Sequence, residues 1–298
     1  MPGSELFDIF KAKSSNNYNP LSSYTLVTDD QELKNNVISI WVNASSYKAG
    51  SLSNFKFDPT NSGTFLGRFD ETEDFVFPGS PWEGYGVLAG GNLISAGNNT
   101  YYNYDSVGKL YKINNNHVAS IIGSTNNGYV ITQLMVKDEE PIVRMQISYS
   151  NTTGSNQTVK AMRSVDPDQD RPTTFDTYNR YGLLDVIDVK DIVTAEGTSR
   201  NKDMALYSNG DGITHNTYVD PDWPNLNVYA TLSNSNYINN YADDALTIGF
   251  DFGLVAAGET VAVGLYYVVG VGLDSILQSI QQYLNLEGSL GHGWGVLL

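Results

Sequence analysis

The chain of 298 residues contains no cysteine. Disulfides, thiolate nucleophiles, Cys-ligated zinc and iron–sulfur clusters are therefore excluded together. Basic residues are scarce: 17 Lys and Arg stand against 33 Asp and Glu, for a net charge of −16. Binding phosphates needs a basic surface, so nucleic acid is excluded as a partner and an anionic membrane surface is disfavoured. Histidine is equally thin, and His117, His215 and His292 share no metal-ligand spacing. No G-x-S-x-G, Walker A or dinucleotide fingerprint occurs. Long apolar runs are missing too. The most apolar stretch, Val261 to Leu273, is too short to span a bilayer and reads as a buried strand. The first residues, MPGSELFDIFKAKSSNNYNP, show no basic segment followed by an apolar run, so no signal peptide is read there. The composition nevertheless points to the cell surface, the extracellular space or a virion. A virion protein freed by lysis, export without an N-terminal signal, or a removed signal would each reconcile the two.

What is abundant is Asn, Gly, Ser, Thr and Tyr, the mix of many short strands joined by turns. Strand signals cover Val37–Val42, Phe55–Phe57, Thr64–Phe69, Asp74–Phe77, Tyr85–Leu88, Tyr101–Ile113, Val118–Ile122 and Tyr129–Val136. They continue at Ile142–Tyr149, Val159–Val165, Ala205–Tyr207, Val228–Leu232, Ala245–Phe252 and Thr260–Val269. Gly90-Gly91-Asn92 is a hairpin signal. In Ile142–Tyr149, Val143, Met145, Ile147 and Tyr149 share one face, and Arg144, Gln146 and Ser148 the other. Residues 1–35 read as an N-terminal arm with an apolar cluster at Leu6, Phe7 and Phe10. Residues 36–272 read as the β domain. Over 273–286, Ile276, Leu277, Ile280 and Leu284 fall at helical spacing, and an apolar tail carries Trp294, Leu297 and Leu298. The expected fold is mainly β and antiparallel, with two sheets, a short C-terminal helix and extended terminal arms.

The stretch Arg163-Ser-Val-Asp-Pro-Asp-Gln-Asp170, followed by Thr174-Phe-Asp-Thr-Tyr-Asn179, resembles a pattern of large bacterial and cyanobacterial surface or secreted proteins. Pro78-Gly-Ser-Pro-Trp-Glu-Gly84, Tyr207-Ser-Asn209 with Thr214-His-Asn216, and Leu246-Thr-Ile-Gly-Phe-Asp-Phe252 resemble it in the same order. The resemblance covers about residues 60–272 and implies a β-supersandwich, the architecture of galactose-mutarotase-like domains. It implies little about function. The chain departs from those relatives in lacking Gly/Asp-rich calcium repeats and in its two terminal segments.

Candidate chemistry is sparse. Asp166, Asp168 and Asp170 alternate in one loop and could supply oxygens to calcium, which takes six to eight. The plainer reading is a turn whose carboxylates cap backbone amides beside proline. Glu83, with Asp166 or Asp168 as its partner, is a pair that a glycosidase could use. Trp82, Glu83, Tyr101, Tyr102 and Trp223 could form a carbohydrate-stacking platform, although aromatic residues also serve cross-strand pairing. His215 is expected to hydrogen-bond a loop. The reading that follows is a non-enzymatic structural subunit of an extracellular assembly, such as a virion surface protein or surface filament. It would bury its apolar ends in other copies of itself or in a scaffold protein. The alternatives are a carbohydrate-binding or carbohydrate-active domain and a calcium-stabilised adhesin. No cofactor beyond calcium is expected.

Overall fold

The computed structural model describes residues 25–284 apart from 67, 69, 71–73, 78–81, 99–106, 125–127, 171–172 and 222–226. Its chain forms three antiparallel sheets. The first has ten strands, ordered β1 (Thr25–Val27), β7 (Val107–Asn114), β8 (His117–Ser124), β9 (Gly128–Val136), β10 (Ile142–Ser150), β18 (Thr260–Gly270), β14 (Asp203–Tyr207), β13 (Ile192–Glu196), β12 (Thr177–Tyr181) and β16 (Asn240–Ala242). The second has five, ordered β15 (Thr214–Asp220), β17 (Ala245–Val255), β11 (Gln157–Val165), β5 (Glu83–Ala89) and β6 (Asn92–Gly97). The third, absent from the sequence expectation, is β2 (Gln31–Lys34), β3 (Ile38–Val42) and β4 (Leu52–Phe57).

Local chemistry explains the clearest elements. Ala89 faces Asn92 across a two-residue turn in which Gly90 and Gly91 take φ of 56° and 85°. Two consecutive left-handed residues define the hairpin turn whose twist matches the strands, and glycine adopts them without Cβ strain. β9 and β10 pair in register, with Val143 opposite Val136 and Met145 opposite Leu134. Val143, Met145, Ile147 and Tyr149 enter the main core with residues from all three sheets, including Ile40, Phe55, Val87 and Ile248. Arg144, Gln146 and Ser148 on the other face are also buried, because β10 lies in the middle of the wide sheet.

Part of that outer face is covered by the C-terminal helix. Leu273–Ser279 is α-helical and continues as a π-helical turn over Ile280–Leu284. Ile276, Ile280 and Leu284 are buried against Ile142, Ile192, Ala205, Tyr207, Tyr266 and Val268 of the chain's own sheet, with Leu277 packed beside them. The expectation that Ile276, Leu277, Ile280 and Leu284 dock on a neighbouring subunit is therefore corrected. Their stripe finds its apolar complement on the strands that precede it. Gly270 permits the close approach, since a Cβ there would lie 2.1 Å from the Ser275 hydroxyl.

Other readings change as well. Residues 25–34, assigned to the arm, are sheet: β1 pairs with β7, β2 pairs with β3, and Leu33 is fully buried. Leu6, Phe7, Phe10, Trp294, Leu297 and Leu298 lie outside the described residues. Residues 61–66 form no strand. Asp74–Phe77 is a turn around the buried Asp74 carboxylate, which accepts from the N–H groups of Phe55, Val76 and Phe77 at 2.9–3.0 Å. Val228–Ser233 is a helix and not a strand: the Asn227 side chain caps it by accepting from the Ala230 N–H at 3.1 Å.

Candidate functional site

Glu83 lies at the junction of the three sheets. Its carboxylate meets Arg163 Nε of β11 at 2.6 Å, accepts from the Tyr267 hydroxyl of β18 at 2.9 Å and from the Leu52 N–H of β4 at 2.5 Å. Both partners of the ion pair are fully buried, and the Arg163 guanidinium sits 5.6 and 5.7 Å from the Tyr85 and Tyr267 ring centres. Burial pushes the Glu83 carboxyl up, while Arg163, the Leu52 N–H and the Tyr267 hydroxyl pull it down. The residue is a structural pin with no face toward solvent. This corrects its assignment to ligand binding and removes it from any catalytic pair. Trp82 is corrected likewise: it is fully buried against Met162 and Val228. Tyr101, Tyr102 and Trp223 lie outside the described residues.

The Asp166–Asp170 loop leaves β11 in the five-stranded sheet and crosses to the edge of the ten-stranded one. Its backbone is tied by Asp166 N–H to Trp82 O and by Asp168 N–H to Phe75 O, both at 3.0 Å. At the far end the Gln169 amide donates to Ala195 O of β13 at 3.1 Å. The three aspartates divide into two roles. Asp170 is wholly buried and accepts from the N–H groups of Thr198, Ser199 and Arg200 and from the Thr198 hydroxyl. It shapes the β13–β14 turn and is no metal ligand, which corrects that part of the calcium set. Asp166 and Asp168 instead converge with Asp243, their carboxylate oxygens all within 4.8 Å of one another. Burial first, then the charges of Asp243 and Asp244, push the Asp166 carboxyl up to about 7. Such a trio can neutralise itself by taking a proton or by offering three oxygens to a hard cation.

The turn that Asp170 holds borders a second feature. Its Thr198 hydroxyl approaches the Tyr241 hydroxyl at 3.5 Å. Tyr241 of β16 is the cross-strand partner of Tyr178 of β12, so both side chains occupy one face at the edge of the ten-stranded sheet. Tyr241 is 49% exposed, and Phe175, just before β12, is 39% exposed. The Arg180 guanidinium lies over the Tyr178 ring at 4.9 Å and pairs with Glu196 at 2.6 Å. The exposed Tyr241 ring and its partner Tyr178 thus stand next to a planar donor, a carboxylate and the Thr198 hydroxyl. The strip has little signature in the sequence, because Thr177-Tyr-Asn-Arg-Tyr181 places polar and aromatic residues on both faces. The alternation of Tyr178 with Arg180 was its one signal.

Among the described residues, no histidine joins the aspartate trio. His215, as expected, bonds neighbouring loop groups, the Ile213 carbonyl and the Asp191 carboxylate.

No family model and no curated protein matches the sequence. Among solved structures, the chain is similar to a bacterial glucoamylase complexed with acarbose, with a TM-score of 0.54 and 11% identity over 92% of this chain and 36% of that one. It thus spans little more than a third of the glucoamylase's length. Fainter likenesses are to a kojibiose phosphorylase from the human microbiome described as putative (TM-score 0.47, 11% identity, 95% of this chain and 36% of that one) and to a galactose mutarotase-like protein from Lactobacillus casei ATCC 334 (TM-score 0.43, 8% identity, 81% and 100%). At such identities the likeness defines the fold class, a mainly β sandwich of large antiparallel sheets.

Proposed function

We propose that the chain is a non-catalytic saccharide-binding β-supersandwich whose binding surface is the edge strip of Tyr178 and Tyr241. The observation that carries this reading is the cross-strand pair Tyr178–Tyr241, half-open to solvent and flanked by the Arg180–Glu196 pair and the Thr198 hydroxyl. Flat rings bury the apolar face of a pyranose at small entropic cost, and paired donors and acceptors engage its hydroxyls. The glucoamylase with a similar fold is one complexed with acarbose, which supports the same class of ligand. With Glu83 pinned to Arg163, the pair of Glu83 with Asp166 or Asp168 is not available for glycosidase chemistry. The structural-subunit reading is weakened because its helix is spent on the chain's own sheet.

Calorimetry with acarbose and a panel of neutral oligosaccharides tests the proposal. Micromolar to millimolar binding that falls about tenfold on Tyr241→Ala, the factor a 1.4 kcal/mol loss produces, is the expected result. Silence across the panel, or binding indifferent to Tyr241→Ala and Tyr178→Ala, refutes it.

A second reading has its own observation. The convergence of Asp166, Asp168 and Asp243 favours a calcium-stabilised module, in which the ion ties the β11–β12 loop to the segment entering β17. It is compatible with saccharide binding at the adjacent strip.

A further inference from the structure

His215 of β15 is held by two acceptors. Its Nδ1 lies 2.9 Å from the Ile213 carbonyl and its Nε2 2.7 Å from an Asp191 carboxylate oxygen. A neutral imidazole carries one N–H, so one of these contacts would set lone pair against lone pair; only the doubly protonated ring satisfies both. The seat is fitted to the ring. Its centre is 6.2 Å from that of Phe250 at an interplanar angle of 28°, and a Cβ on Gly210 would fall 2.1 Å from Nδ1.

Asp191 belongs to the turn between β12 and β13, in the other large sheet. The same turn is tied to β15 by the Thr217 hydroxyl, which donates to Val189 O at 2.6 Å. Upstream, Leu183 and Ile187 pack into the cluster beneath Ile276 and Ile280 of the C-terminal helix. Between turn and helix lies a cleft of about 340 Å³ lined by Val186, Ile187, Asp188, Asp191, Tyr207 and Leu277, among others.

We propose that His215 and Asp191 form a pH-sensitive clasp that ties the 183–191 turn, which lines this cleft, to β15 of the other large sheet. The charged side chains whose fields act on the ring come from the turn itself: Asp191 in contact and Asp188 at longer range. β17 presents Phe250, and β15 contributes the Ile213 carbonyl just before it. Burial opposes the charge, but the Asp191 hydrogen bond, the Ile213 carbonyl and the two carboxylates outweigh it and raise His215 above its usual 6.5. The clasp therefore holds through both contacts and a full ion pair in acid, and loses one contact and the ring's charge as pH rises through the raised value.

Two measurements on the intact protein decide it. In ¹⁵N-detected titration, His215 is expected to carry both ring protons at pH 6 and to titrate above 6.5. Asp191→Asn should lower that midpoint by at least about one unit. In hydrogen exchange normalised to intrinsic rates, the amides of 183–191 should lose protection about tenfold across the same titration, and Asp191→Asn should abolish that dependence. A midpoint at or below 6.5 in the wild type, or unchanged protection on deprotonation, overturns the proposal.

Discussion

Replacing Arg163 by methionine would remove the counter-charge of Glu83 and leave the carboxylate's other bonds in place. Both residues have no solvent exposure, so water cannot enter to compensate. Deleting one member of a buried ion pair generally costs about 3–5 kcal/mol. In this fold the loss also loosens three sheets at once, because Glu83 touches Leu52 of the small sheet and Tyr267 of the wide one. A domain of this size loses about 2–4 °C of melting temperature per kcal/mol, so Arg163→Met should melt roughly 6–20 °C lower by calorimetry. Adding Glu83→Leu should recover most of that, because an apolar pair has no uncompensated charge to bury. If Arg163→Met melts within about 2 °C of wild type, or if the double variant is worse than the single one, the pin does not join the sheets as described.

Further outcomes can be measured in the same way. Ile276→Ala should destabilise by about 2–5 kcal/mol in urea and leave a monomer a monomer, since its partners are intramolecular; dissociation of an oligomer on this change would contradict that. Asp166 holds a proton more tightly in the folded chain, at about 7, than at its ordinary value of 3.8, so its stabilising contribution is complete below 3.8 and is lost as pH rises through 7. Asp166→Asn should therefore gain melting temperature relative to wild type between pH 4 and 7.5, by at most about 4 kcal/mol equivalent. An advantage that does not change with pH would sink the assignment. His117 acts oppositely: burial lowers it to about 4, so its contribution is present above 6.5 and lost toward 4, and His117→Gln should flatten the acid limb of the melting profile. If the aspartate trio takes calcium, calcium at a hundredfold excess over its Kd should stabilise by about 2.7 kcal/mol, with Asp243→Asn abolishing the effect; identical melts in calcium and EDTA would exclude it.

How much was legible from residues alone follows from the range over which the forces act. Strands with strict alternation, such as β10, and the Gly90-Gly91 turn are local and could be read directly. The pairing of Glu83 with Arg163 joins residues 80 apart and leaves no local trace, so Glu83 looked like a surface acid beside a tryptophan. The Asp-rich loop is plain as a motif in the sequence. However, its division into a turn-capping Asp170 and a convergent Asp166 and Asp168 depends on Asp243, which arrives only through β16. The 228–233 segment carries β-favouring residues, and its helix is supported by the Asn227 cap and by the packing of Val228 with Trp82 and Met162, which no local pattern shows. The amphipathic stripe at 273–284 was plain, but sequence pattern cannot distinguish a partner's surface from the chain's own.

Among the described residues, the wide sheet ends on strands β1 and β16, each of three residues. Long bare borders invite further chains to continue the ladder, and stubs this short offer few free N–H and C=O groups to recruit them. Crowding should accordingly leave these two borders dispersed, without fibril growth from them, and any partner that binds there must do so through side chains.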